Sequence, residues 1–419
     1  MVLIVAKILT RVGIWTKKSK PANGVGKRVR TAKASERRQE TTFSISYFCG
    51  EIQNQRRLQM KTKERFVIVA LIALFLSGIF LTEALAQEKI RWKMQGPFPA
   101  GMALSWGGTE FVKKVSEASG GRLEIKYFSG GSVVPALQEF DAVNKGTLDA
   151  HYSASHYHTS KIGLAGDLFN LYPGGPNPME FTVWVYNAGG LELWQEMYDR
   201  RKYNVVALGT VGLSSAELFG WYKKPITSLA DFKGLKFRTA GIWGEILTGL
   251  GAAVIQCPGG EIFENMKRGV LDAFEYSTPG VDLSAGFHQL GAYMVGPGVH
   301  APQSAFELLV NKNSWDKLTP DLKAIMKISA EAVSIRLLAY LDHQDVLAMD
   351  KLKEYGTKMH RLPDSVQTEV VKKANELYDQ KAKEDPFFAK VLNHQRDFLK
   401  KFRAYKAFTQ PNPELMTTW

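Results

Sequence analysis

The chain has 419 residues, 45% of them hydrophobic and 11% aromatic, enough for two or three packed domains. Its net charge of +13 is unevenly placed: residues 1–86 carry 16 of the 54 Lys/Arg and 5 of the 41 Asp/Glu, and the 38 and 36 that remain nearly cancel. The basic excess belongs to the N-terminal region, which excludes a nucleic-acid interface on the main body.

Residues 1–59 are basic and without clear periodicity, and are expected to be a misannotated upstream extension or a disordered one; a functional basic arm is the alternative. Met60-Lys-Thr-Lys-Glu-Arg65 is then a short basic region, followed by an apolar run from Phe66 to Leu81 and by Ala84-Leu-Ala86, a small-x-small cleavage pattern. Residues 60–86 read as a signal peptide, with export to the periplasm. An uncleaved anchor is the rival, but the run is short of the ~20 residues a bilayer span needs. Removing the leader removes Cys49. Cys257 is then alone, with no internal disulfide and no CxxC metal site, and reads as a small buried hydrophobe.

The alternation of Ile90–Met94 predicts a strand, Pro97–Gly108 a loop, and Ser105–Ser119 a helix stopped by Gly120-Gly121. Leu123–Phe128 is a second alternating strand. Helix and strand continue to alternate, which predicts an α/β fold with a largely parallel sheet. An internal echo joins Phe140…Gly146-Thr-Leu-Asp149-Ala150 to Phe263…Gly269-Val-Leu-Asp272-Ala273. Each reads as helix, glycine cap and entering strand, so two domains built from one kind of unit are expected, with a cleft between them. Pro320–Tyr355 is one long helix of ~50 Å, enough to cross both. Asp364–Lys383 and Pro386–Ala404 are further helices, and Thr409–Trp419 is loop-like.

Candidate functional residues lie mainly in the middle of the chain. Arg238 ends the short strand Gly234-Leu-Lys-Phe-Arg and shares a face with Lys236. It is either a solvated face or a guanidinium that clamps a carboxylate. Glu275-Tyr276 ends the strand after Asp272-Ala-Phe, where ligands sit in open parallel sheets. A carboxylate there repels an anionic ligand unless a cation lies between them. Glu217, before Phe219-Gly-Trp221-Tyr222, is a second acidic candidate. His151, His156 and His158 lack the i, i+4 spacing of a helical zinc pair. Tyr152, Tyr157, Trp184, Trp221, Tyr222 and Trp243 read as core, with cleft lining open to some of them. No GxSxG, P-loop or HExxH is present.

Taken together, Phe140…Gly146-Thr-Leu-Asp149-Ala, Gly220-Trp-Tyr-Lys-Lys-Pro225-Ile, Leu229-Ala-Asp-Phe-Lys-Gly-Leu-Lys-Phe-Arg238, Leu250-Gly-Ala, Pro258-Gly-Gly-Glu261-Ile-Phe and Gly269…Asp272-Ala-Phe-Glu275-Tyr276 resemble the solute-binding proteins of tripartite ATP-independent periplasmic (TRAP) transporters. The resemblance covers roughly residues 88–405 and is closest to the subgroup that binds 2-oxo monocarboxylates. It implies a periplasmic-binding-protein-like fold, with two α/β domains around a cleft and a long domain-spanning helix. Residues 88–211 plus about 300–335 would form one domain, and 212–299 plus about 336–405 the other with the spanning and C-terminal helices, leaving 406–419 as a tail. The resemblance further implies a receptor that delivers a 2-oxo or 2-hydroxy acid to a small and a large membrane subunit, and that is monomeric or a homodimer. Arg238 would bind the ligand carboxylate, with Tyr276, Glu217, Tyr157 and Trp243 around it. Glu275, Tyr276 and Glu217 would hold Na+ or Ca2+, and no redox or group-transfer cofactor is implied. Three departures stand out. The subgroup has tryptophan at Tyr276, glutamine at Glu217, and Trp-His-Glu-Pro-Gly where Val299-His-Ala-Pro-Gln303 stands here. Two acidic groups would favour Ca2+ over Na+. A secreted enzyme using Glu217 and Glu275 as acid and base is the alternative.

Overall fold

The computed structural model describes Lys89–Pro411, apart from Ala292, together with Val67. The extension expected over 1–59 and, but for Val67, the signal peptide lie outside the described residues. Among those described, no helix is long and apolar enough to cross a membrane.

The main chain builds two sheets. Strands β1 (Ile90–Gln95), β2 (Leu123–Phe128), β3 (Ala150–Ser153), β4 (Val205–Ser214) and β10 (Ser304–Asn311) form the first, in the order β2-β1-β3-β10-β4. Strands β5 (Gly220–Tyr222), β6 (Lys236–Arg238), β7 (Ala253–Ile255), β8 (Ala273–Phe274), β9 (Tyr293–Gly296) and β11 (Lys358–Arg361) form the second, in the order β11-β9-β5-β8-β6-β7. The alternation in β1 and β2 works as expected: Trp92, Met94, Leu123 and Ile125 are buried, while Arg91, Lys93 and Lys126 face water.

Pairing departs from the largely parallel expectation. β1 runs parallel to β2 and β3, and β6 parallel to β7 and β8, but β10 is antiparallel to β3 and β4, and β5 to β8 and β9. The reason is connectivity. The chain passes from β4 to β5 through residues 215–219 and from β9 to β10 through residues 297–303. A strand that enters a sheet from the other one need not follow a βαβ crossover, so it can pair antiparallel.

The internal echo is structural. Helices Glu139–Lys145 and Ile262–Lys267 are each followed by a glycine at positive φ, Gly146 at 79° and Gly269 at 70°. Asp149 and Asp272 then bond the preceding parallel strand in the same way. Asp149 N donates to Lys93 O while Asp149 Oδ2 accepts from Lys93 N, and Asp272 N donates to Lys236 O while Asp272 Oδ2 accepts from Lys236 N. Two residues beyond each lysine stand Gln95 in the first sheet and Arg238 in the second.

The long helix runs from Pro320 to Glu354. Pro at its first position and Asp321 in its first turn favour the start, Lys351 and Lys353 the last turn, and Gly356 at φ 89° follows. It packs on β4 and helix Ser105–Ala118 of the first-sheet half and on helix Pro279–Ser284 of the second-sheet half. Helices Asp364–Glu384 and Pro386–Thr409 close the described chain, the second running five residues past its expected end.

Gly220 shows how tightly the second sheet is built. Its φ is 136°, and a Cβ there would meet Phe274 O at 2.5 Å. Gly220→Ala is expected to destabilise the protein by about 2–3 kcal/mol and to shift β8, read as a lower urea midpoint.

Candidate functional site

Four short segments converge at the ends of the second-sheet strands and the two crossings. Arg238 is the last residue of β6, Glu275 and Tyr276 follow β8, Glu217 lies on the 215–219 crossing and His300 on the 297–303 crossing. Glu217, Arg238, Glu275 and Tyr276 line one narrow cavity of about 20 Å3, with Tyr157 and His156 from the first-sheet half. Leu104, Leu171 and Phe306 supply apolar wall.

Arg238 is 2% exposed. Its Nε donates to Cys257 O at 3.3 Å and its Nη1 to Glu275 O at 2.8 Å and Glu275 Oε1 at 3.2 Å. The guanidinium lies 5.3 Å from the Tyr276 ring centre, and Nη2 has no partner. Three bonds thus fix the fork, and its free donor is buried at the cavity. An unsatisfied charged donor is costly, and a carboxylate is the group that repairs it. Lys236, on the same strand face, is half-exposed and turns instead to Gly269 O and Asp272.

The acidic side is equally incomplete. Glu217 Oε1 accepts from Ser304 Oγ, while Oε2 has no partner. His300 Nε2 stands 3.9 Å from Glu217 Oε2 and 3.9 Å from Glu275 Oε2, too far to hydrogen-bond. Burial, and then the negative charge of Glu275, push the Glu217 carboxyl well above its usual range. Burial also opposes ionisation of Glu275, but Arg238 and then His300 hold it below the usual range. Donor atoms of Glu217, Glu275 and His300 all lie within 4.8 Å of one another. Two facing carboxylates with an orphaned oxygen fit a cation: it would take the place of the proton on Glu217 and complete the coordination that protein atoms leave open.

The remaining expected residues take distinct places. Tyr276 donates its hydroxyl to Met102 Sδ at 3.1 Å, so its ring faces Arg238 while its oxygen is engaged elsewhere. Trp243 is 1% exposed and stands behind the cavity, its ring 5.4 Å from that of His300. His156 is neutral at pH 7, its pKa pressed down to about 3 by burial. His151 and His158 instead approach buried Glu307, each 3.3 Å from Oε1, while Tyr198 donates to Oε2 at 2.7 Å. The resemblance singled out His300 only as part of an altered stretch. Its position on a crossing between sheets is what brings it to the site, and no local pattern announces that.

A fold of two α/β lobes, with a buried guanidinium and a carboxylate pair in the seam, defines a binding protein for a small anion. The chain belongs to the bacterial extracellular solute-binding protein family 7, whose model matches residues 105–385. It is 30% identical over 316 residues to the monocarboxylate 2-oxoacid-binding periplasmic protein of Nostoc sp., covering 75% of this chain and 86% of that one. Among solved structures it is similar to the TRAP periplasmic solute-binding protein of Colwellia psychrerythraea with bound calcium and pyruvate, at 30% identity and TM-score 0.73, covering 77% of this chain and 98% of that one. It is also similar to the TRAP protein of Pseudoalteromonas atlantica with bound sodium and pyruvate, at 27% identity and TM-score 0.74, covering 79% and 100%.

Proposed function

We propose that this protein is the extracytoplasmic receptor of a TRAP transporter and binds a 2-oxo or 2-hydroxy monocarboxylate through Arg238 and a cation, for delivery to membrane subunits. The observation that carries the reading is the buried, partnerless Arg238 Nη2 at a cavity also lined by Glu217 and Glu275, which with His300 form a compact donor set. The cation, when bound, supplies positive charge between the ligand and the two carboxylates. Arg238 orients the ligand carboxylate, and Glu275 holds Arg238 in place. Tyr157 and Tyr276 bracket the arginine, and the apolar wall excludes a second charged group. The relatives described with bound pyruvate support a compact acid.

The domain division at 88–211 with about 300–335, against 212–299 with about 336–405, is proposed as the unit of movement. β10 pairing in the first sheet and β9 in the second support it. The last helix, Pro386–Thr409, departs from that division: it packs on helices Pro178–Asn187 and Gly190–Asp199, so residues 386–405 would move with the first domain instead of the second. Calorimetric titration of pyruvate with calcium into the mature protein tests the whole reading. Saturable binding is expected, and heats no larger than dilution would contradict it.

The enzymatic alternative has one supporting feature. The proton affinities of Glu217 and Glu275 are driven apart, as acid and base require. The family consists of solute-binding receptors, and the same split follows from burial of the two carboxyl groups with Arg238 beside only Glu275. Recovery of pyruvate and related acids unchanged after long incubation with the protein is the expected result.

A proton test follows from Glu217. Its pKa is raised above the ordinary 4.5, so a cation that needs the carboxylate must displace a proton. Calcium affinity should therefore rise with pH until Glu217 ionises unaided, and fall as pH drops below that point. Titrations in buffers of different ionisation enthalpy should show proton release, and Glu217→Gln should remove it while weakening calcium binding.

A further inference from the structure

The helix Gly241–Gly249 begins three residues after Arg238, and its N-cap residue is Ala240, which offers no side-chain acceptor. First-turn amides need acceptors, and here one comes from 75 residues away: Asp167 Oδ2 accepts from Ile242 N at 3.0 Å. Asp167 lies in the helical turn Leu164–Phe169, which follows β3 of the first sheet, whereas Ile242 follows β6 of the second. Both are 1% exposed. Gly241 between them has φ 63°, and a Cβ on it would stand 2.1 Å from Asp167 Oδ1. The carboxylate therefore rests on a bare Cα, an approach that glycine alone permits.

The binding cavity cannot exchange its contents as it stands. Arg238, Glu217, Glu275 and His300 are 2%, 5%, 6% and 0% exposed. Ligand can enter and leave only if the two walls part, and the Asp167–Ile242 bond spans those walls at the segment that carries the arginine.

We propose that Asp167 is a positioning residue that latches the closed cleft, capping helix Gly241–Gly249 across the seam and so holding the Arg238 segment over the bound acid. This rests on the receptor reading above. A carboxyl oxygen at a helix N-terminus satisfies a first-turn amide and so favours closure. Burial pushes the Asp167 carboxyl well above its usual range, and only the bond from Ile242 N pulls against this. The second oxygen, Oδ1, has no partner, so the buried carboxylate is only half compensated. Water would satisfy both oxygens in the parted cleft, and the latch remains reversible for that reason.

The test compares Asp167→Ala, Asp167→Asn and wild type in the mature protein. The readouts are pyruvate dissociation in the presence of calcium, amide exchange at Ile242, and unfolding without ligand. Asp167→Ala is expected to speed dissociation roughly tenfold and to deprotect Ile242. It should leave the ligand-free unfolding temperature nearly unchanged, because the parted form does not use the bond. Asp167→Asn keeps an acceptor oxygen and should stay within about threefold of wild type. Unchanged dissociation and Ile242 exchange in Asp167→Ala would overturn the latch. So would an equal loss of stability in ligand-free Asp167→Ala, which marks a plain structural role. If wild type fails to bind pyruvate with calcium, the receptor reading fails and the latch that rests on it falls with it, whereas wild-type binding with unchanged dissociation in Asp167→Ala overturns the latch alone.

Discussion

Arg238→Ala is expected to reduce affinity for pyruvate about 30-fold or more, with the far-ultraviolet circular dichroism of the protein unchanged. Removing one partner of a desolvated, charge-assisted pair costs ~2–5 kcal/mol, and two pairs are lost at once here. The ligand carboxylate loses the free Nη2, and Glu275 loses the Nη1 contacts at 2.8 and 3.2 Å that hold its backbone and carboxyl in place. The fold should survive because Glu275 can take up a proton, as the buried Glu217 already tends to do. Arg238→Lys should recover little. A lysine cannot donate at once to Cys257 O, Glu275 and a carboxylate in one plane. Isothermal titration distinguishes the outcomes, and near-native affinity in either variant would remove Arg238 from the ligand site.

Stripping the cation is the second large effect. With Glu217 protonated and no cation, an anionic ligand meets the Glu275 charge across a dry cavity. Two like charges 4 Å apart at an effective dielectric of about 20 repel by ~4 kcal/mol, part of which the Arg238 bond to Glu275 offsets. Affinity for pyruvate should therefore fall on the order of 100-fold after chelation and return when calcium is added back. Sodium should restore less, because two carboxylates favour a divalent ion. Equal affinity before and after chelation would leave the paired carboxylates without a ligand role.

Much of this architecture was legible in the residues. The alternation of Ile90–Met94 and Leu123–Phe128, the cap glycines Gly146 and Gly269, and the signals at Pro320 and Gly356 are local, and local geometry obeys them. The antiparallel placement of β4, β5 and β10 was not legible, because strand direction follows from which sheet a segment enters, and that is decided by long-range packing. In the site, Arg238 and Glu275 stand on alternating strands and could be placed at strand ends. Glu217 was visible only as an acidic residue near an aromatic cluster, and the resemblance gave it its place. His300 and Asp167 were hidden for a common reason. Each acts through a partner brought close by the fold, His300 from a crossing segment and Asp167 from a turn 75 residues before its partner. The histidine group shows the converse. Three histidines close in sequence part company in space, His151 and His158 toward Glu307 and His156 toward the cavity.

One small acid is proposed to bridge Arg238 and a cation held by the facing carboxylates. A crystal structure of the mature protein grown with pyruvate and calcium tests it most directly. A ligand carboxylate oxygen is expected within hydrogen-bond distance of Arg238 Nη2, and a cation coordinated by Glu217, Glu275 and the ligand. Pyruvate seated away from Arg238, or bound with no ion between the two carboxylates, would contradict it.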